Sequence, residues 1–162
     1  YLDTLVDALM LRRLEPVLPN VGKRLVKSPK VYVRDSGLVH ALLGINNLDA
    51  LQGHPIVGAS WEGFVVEQIA AAARQALPDA RLGYYRTAAG SELDVVVEQG
   101  TRRWGFEVKF SSAPSVTKGF WQACQDLQLD RAAVVAPVSR AYPLKAGAEV
   151  IPVSALAAWF QT

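Results

Sequence analysis

Residues Ser91–Phe110 read SELDVVVEQGTRRWGFEVKF, and their alternation decides how the rest of the chain is read. Gly100-Thr101 suits a two-residue hairpin turn, because glycine at the first central position supplies the positive φ such a turn requires. Pairing outward from that turn sets Gln99 opposite Arg102, Val97 opposite Trp104, Val95 opposite Phe106 and Asp94 opposite Glu107. Side chains alternate across a strand. Leu93, Val95, Val97, Trp104, Phe106, Val108 and Phe110 are therefore expected on a core face, with Glu92, Asp94, Glu107 and Lys109 together on the other.

Cross-strand neighbours lie about 5 Å apart at Cβ, close enough for Asp94 and Glu107 to hold one hard cation, Mg²⁺ or Mn²⁺, between them. Lys109 is expected to point the same way. Such a set is the equipment of phosphodiester hydrolysis: carboxylates hold a metal that polarises a phosphoryl oxygen and acidifies water, and an amine positions that water or stabilises charge. A half-exposed hairpin carrying a ladder of surface ion pairs shows the same alternation. Against that plainer reading stands Asp94 directly opposite Glu107, since like charges across a ladder destabilise it unless something positive lies nearby.

A chain of 162 residues, 51% of them apolar, suits one globular domain, or one domain with a small appendage. Its net charge of +2 is too balanced to indicate nucleic acid by itself. The single cysteine, Cys124, excludes an internal disulfide and a cysteine-rich zinc site, and fits a reducing cytoplasm. His40 and His54 are isolated and form no histidine metal pattern. No run approaches the roughly 18 apolar residues of a membrane span, and no signal peptide opens the chain, so no membrane partner is expected. Neither a G-x-x-x-x-G-K-S/T loop nor a G-x-S-x-G elbow occurs, so no nucleotide site is expected within this stretch. Beginning at Tyr1 inside a helical pattern, the chain reads as part of a longer protein.

Leu2, Leu5, Val6, Leu9 and Met10 recur at helical spacing and predict a helix over residues 2–14, ended by Pro16. Two strand-like runs follow, near 24–27 and 30–34, around a Ser28-Pro29 turn. Residues 1–45 are thus expected to form a helix-plus-hairpin segment similar to the second half of a winged helix. Its Lys23, Arg24, Lys27, Lys30 and Arg34, with Arg86 further on, are candidate phosphate contacts; the alternative is a solvated edge hairpin whose lysines discourage edge pairing. A short helix capped by Asp35 or Ser36 stops at Gly44, and the polar, glycine-containing residues 46–58 read as a connector.

Residues 59–162 form the second expected unit. A helix opens at Ser60 with an apolar stripe through Trp61, Phe64, Val65, Ile69 and Ala72. Glu62 and Glu67 lie about 140° apart around it, so at most one can join the acidic end of the hairpin. A strand through LGYYRT, the hairpin, a helix over 116–127 with Cys124 on its apolar stripe, and a buried strand RAAVVAPV come next.

This order of helix, three strands, helix and strand, with Asp94 and Glu107-Val108-Lys109 on consecutive strands, resembles the PD-(D/E)xK or restriction-endonuclease-like fold. That is an α/β architecture with a mixed sheet flanked by helices. The resemblance implies Asp94 and Glu107 as metal ligands, Lys109 as the group that assists water, and Glu62 ahead of Glu67 as the helical carboxylate. Leu93 stands where that superfamily often has proline. The phrases KVYVRDSGLVHALLG, GASWEGFVVEQIAAAA, YYRTAAGSELDVVVE and WGFEVKFS further resemble the C-terminal domain of unknown function that follows the ATPase module in many bacterial and archaeal AAA-type ATPases. That resemblance implies a nuclease-like module acting on DNA, with an ATP-binding module upstream in the same chain through which oligomers form. The alternative it leaves open is a catalytically inactive nuclease fold kept for nucleic-acid or protein binding, its carboxylates paired to Lys109, Arg86 and Arg103.

Overall fold

The computed structural model describes residues 1–161. In chain order these give α1 (Leu2–Asp7), β1 (Leu11–Pro16), β2 (Lys30–Val33), α2 (Ser36–Leu42), α3 (Leu48–Gln52) and α4 (Val57–Ala76). Next come β3 (Arg81–Arg86), β4 (Glu92–Gln99), β5 (Arg102–Val108), α5 (Lys118–Leu127), β6 (Arg131–Val135), β7 (Tyr142–Pro143), β8 (Glu149–Ile151) and α6 (Leu156–Trp159). The eight strands form one mixed sheet in the order β2-β1-β3-β4-β5-β6-β8-β7.

The hairpin at its centre pairs as the alternation predicts. Gln99 faces Arg102, Val97 faces Trp104 and Val95 faces Phe106, and Gly100 takes a φ of 60° at the turn. β6 then runs parallel to β5, reached by crossing over through α5, and β8 runs parallel to β6. On one side of the sheet, Val65, Val66, Ile69 and Ala73 of α4 pack with Val95, Val97, Trp104 and Phe106, joined by Trp159 and Phe160 at the end of the chain. On the other, Phe120, Ala123 and Leu127 of α5 pack with Tyr85, Val96, Val134 and Val150. Because helices cover both faces, consecutive residues of β6 are buried, which is why its sequence is an unbroken apolar run rather than an alternating one.

Several expectations are corrected. The helix expected over residues 2–14 ends at Asp7, and Leu11–Pro16 form a strand instead. Leu9 turns the chain with a φ of 59°, and the strand gains two partners a helix would forgo: β2, antiparallel, and β3, parallel. Leu14 is thereby buried in the core.

The strand expected near 24–27 reduces to a single bridge between Leu25 and Thr87, and the antiparallel partner of β2 is β1 instead. Residues on both sides of the expected 46–58 connector therefore contribute strands to the same sheet, and the connector itself holds α3.

Leu93 leaves the expected core face. Gly83 pairs with Val96 but Tyr85 pairs with Leu93, so β4 carries one residue more than β3 there. Asp94 and Val95 both stand opposite Tyr84, a β-bulge. Leu93 consequently packs on the α5 side while Val95 packs on the α4 side. α4 also begins one turn earlier than expected, at Val57, and Ser60 serves as hydrogen-bond partner to His40 Nε2 at 2.6 Å rather than as a cap.

β1 approaches β3 closely enough that a Cβ on Gly83 would meet the backbone oxygen of Glu15 at 2.7 Å and Val17 Cγ2 at 2.8 Å. Backbone cannot yield there as a side-chain tip would. Gly83→Ala is expected to lower stability by about 2 kcal/mol, measurable as a shift in the urea midpoint; an unchanged midpoint would show that β1 can move off the sheet freely.

Candidate active site

The bulge that displaces Leu93 also aims Asp94. The β4–β5 ladder ends at Val95–Phe106, one pair short of the expected Asp94–Glu107 contact. Lys109 donates its amide toward β6, to the Val135 carbonyl at 3.0 Å. The Val108 amide faces β4 and donates to Asp94 Oδ2 at 2.9 Å. The carboxylate thus stands where a strand carbonyl would, and its Oδ1 accepts from Lys30 Nζ at 2.9 Å.

Glu107 is tied through Oε1 to Lys109 Nζ at 2.7 Å, while its Oε2 is buried with no hydrogen-bond partner. Asp94 and Glu107 are each only 8% exposed. Burial foremost, then the neighbouring charge of Asp94, pushes the Glu107 pKa up to about 7 against the pull of Lys109. Burial pulls the Lys109 pKa down, but Glu107 outweighs it and holds the ammonium above the usual lysine value.

Glu62, Asp94, Glu107 and Lys109, all expected at the site, line one cleft of about 480 Å³. Of the two carboxylates on α4, the cleft receives Glu62. Glu67 is engaged by Arg12 of β1 and by Arg34 at 3.1 Å. Burial resists its ionisation, yet the two guanidiniums prevail and depress its pKa.

Lys30, Val31, Tyr32, Arg86, Glu92 and Val108 complete the lining. Lys30 is not placed as a surface phosphate contact: its ammonium lies 3.0 Å from Glu92, 3.4 Å from Glu62 and 2.9 Å from Asp94. Burial disfavours that charge, but Asp94 and the carboxylate of Glu62 dominate and raise the pKa well above the usual lysine range. Tyr32 donates its hydroxyl to Glu62 Oε1 at 2.6 Å. Sequence reasoning missed Tyr32 as a member of the site, and gathered Glu92 on the face of Asp94, Glu107 and Lys109 without giving it a role. The signal present was the repeated spacing of Lys30-x-Tyr32 and Glu92-x-Asp94, each pair on one side of its strand.

The other expected cations are spread out. Lys23 is held by Asp126 of α5 at 2.6 Å. Arg24 and Lys27 are exposed, on a segment fastened beside the cleft by Val26 N–H to the Arg86 carbonyl at 2.9 Å and Ala88 N–H to the Arg24 carbonyl at 2.8 Å. Cys124 lies on α5, where burial pushes its thiol up to about 11, far from a nucleophile's range.

Among the described residues no group of three or more His, Cys, Asp or Glu side chains is arranged to hold a metal ion. The pair Asp94 and Glu107 nevertheless fits a hard divalent ion on its own chemistry. Two buried carboxylates in mutual repulsion, one with an oxygen that nothing in the protein satisfies, are the donors such an ion takes.

Comparison with known proteins matches residues 57–156 to the family model described as domain of unknown function DUF4143. The chain belongs to the DUF4143 family. All four expected site residues and Glu92 fall inside the DUF4143 match, whereas Lys30 and Tyr32 fall in residues 1–49, which match a second domain of unknown function, DUF8612. Two curated relatives, the uncharacterized proteins Mb2031c of Mycobacterium bovis and Rv2008c of Mycobacterium tuberculosis, are each 47% identical over 152 residues. That alignment covers 94% of this chain and 34% of each relative, so the chain spans about a third of their length. No solved structure matches. Among the described residues no helix is long and apolar enough to cross a membrane.

Glu107 gives the metal-free protein a pH dependence of definite sign. Unfolded, its carboxyl releases its proton near pH 4.5; folded, it keeps it to about 7. Its contribution is therefore fully present below 4.5 and lost as pH rises through 7. In thermal melts between pH 4 and 8 with chelator present, Glu107→Gln is expected to remove that part of the decline; a variant whose profile parallels the parent's would refute the assignment.

Proposed function

We propose that this chain is a Mg²⁺- or Mn²⁺-dependent phosphodiesterase module acting on DNA, of the PD-(D/E)xK kind, working in the cytoplasm beside an AAA-type ATPase module of the same longer chain. The observation that carries the reading is the unsatisfied Glu107 Oε2, buried beside Asp94 with Lys109 on the same carboxylate.

In this reading Asp94 and Glu107 hold the ion, Asp94 fixed by the Val108 amide so that its oxygens are oriented before any ligand arrives. The divalent ion, when bound, supplies polarisation of a phosphoryl oxygen and a lower pKa for the attacking water. Lys109 keeps its proton at neutral pH, so it stabilises developing negative charge on the phosphate and orients water rather than acting as a base. Glu62, anchored by the Tyr32 hydroxyl, is placed to orient water at the same cleft. Arg86, exposed at the mouth and 3.5 Å from Glu92, is placed to receive a flanking phosphate.

A second reading is a binding module without turnover. It is favoured by the internal pairing of the carboxylates: Glu107 with Lys109, Glu92 with Arg86 and Glu98 with Arg103.

The two readings part on cleavage. With Mn²⁺ and single-stranded, duplex or branched DNA, the protein is expected to cut, and Asp94→Ala or Lys109→Ala to lower the rate by about 100-fold or more. DNA left intact under all these conditions, with retention in a gel shift, would establish the binding module instead.

A further inference from the structure

Lys30 reaches the cleft from β2, outside the hairpin that carries Asp94 and Glu107. Its Nζ has three carboxylate oxygens around it: Asp94 Oδ1 at 2.9 Å, Glu92 Oε1 at 3.0 Å and Glu62 Oε1 at 3.4 Å. The face of the Tyr84 ring lies 5.6 Å away and also favours positive charge. Several oxygens converging on one point is the surrounding a hard cation takes, and here the cation is covalently part of the chain.

We propose that Lys30 is the built-in second cation of this cleft. Phosphodiesterases that use two metals hold them about 3.5–4 Å apart; this chain sets an ammonium beside Asp94 instead, leaving one exchangeable divalent position shared by Asp94 and Glu107. The inference rests on the metal-dependent reading above and adds a stoichiometry to it. A fixed ammonium on Asp94 Oδ1 repels a second dication and draws off part of the negative charge that would attract the first. Lys30 also gathers Glu62 and Glu92 toward Asp94, which makes it a positioning residue whose removal alters ion binding whether or not the cleft turns over substrate.

Calorimetric titration with MnCl₂ tests this on the parent chain and on Lys30→Met. The parent is expected to bind one ion, and Lys30→Met to bind two, or to bind one about tenfold tighter or better, since three carboxylates lose their resident positive charge. One ion in both proteins, with affinity unchanged or weaker in the variant, would overturn the role of Lys30 while leaving the metal-dependent reading intact. Two ions in the parent would overturn it as well. An ion bound by Lys30→Met and none by the parent would support Lys30 as the resident cation and overturn the divalent site in the native cleft; no binding by either would overturn both. Should Lys30→Met fail to fold by circular dichroism, Lys30→Met/Glu92→Gln removes one charge of each sign and is expected to show the same gain over Glu92→Gln alone.

Discussion

The extra residue in β4, which sets Asp94 and Val95 together opposite Tyr84, is the constraint from which the cleft follows. Without it Asp94 would continue the alternation of the strand and close the ladder against Glu107. With it the ladder stops at Val95–Phe106, the Val108 amide is left facing a side chain instead of a carbonyl, and the Asp94 carboxylate fills that role. A polar side chain that replaces a backbone acceptor is held as firmly as the sheet itself. The cleft is then the space opened where two strands of a buried sheet cease to pair.

Charge enters this cleft at a cost, and the protein offsets it unevenly. An unpaired buried carboxylate is unfavourable by several kcal/mol. Asp94 is matched on both oxygens, by an ammonium and an amide. Glu67, about 1.4 turns along α4 from Glu62, is clamped by two arginines from the β1–β2 side. Glu107 is matched on one oxygen only, and its response is to hold a proton to nearly neutral pH. Within one small region the same side-chain chemistry is thus used for structure at Glu67 and left incomplete at Glu107. The unsatisfied Glu107 Oε2 is thus the atom that the proposed divalent ion would account for, whereas Glu67 leaves nothing for a ligand to satisfy.

How much of this was legible follows from the range of each signal. The hairpin register, the turn at Gly100 and the gathering of Asp94, Glu107 and Lys109 rest on contacts between near neighbours in sequence or on strict periodicity, and a reader of the chain can count them; the α4 glutamate came only from the family resemblance, since helix geometry alone left Glu62 and Glu67 both open. The strand character of Leu11–Pro16 was hidden because Leu9 and Met10 extend a helical pattern into it, and only the two strands beside it make extension the better choice. Leu93 was misplaced because a bulge is a property of two strands compared, invisible in either one.

What the sequence by itself determined is the identity and spacing of the chemical groups: an aspartate, a glutamate and a lysine on consecutive strands, preceded by a helix that offers one glutamate to them. What only the tertiary structure decided is their surroundings. Lys30 is 64 residues from Asp94 in the chain, and nothing local requires β2 to lie at the edge where its ammonium reaches three carboxylates. That position comes from the order of strands in the sheet, which is settled by the burial of Leu14 and Tyr84 between β1, β3 and α4. Packing of apolar side chains, among them Tyr84 whose ring lies 5.6 Å from Lys30, therefore sets which cation the carboxylates meet, because burial of apolar surface is the dominant favourable term in folding.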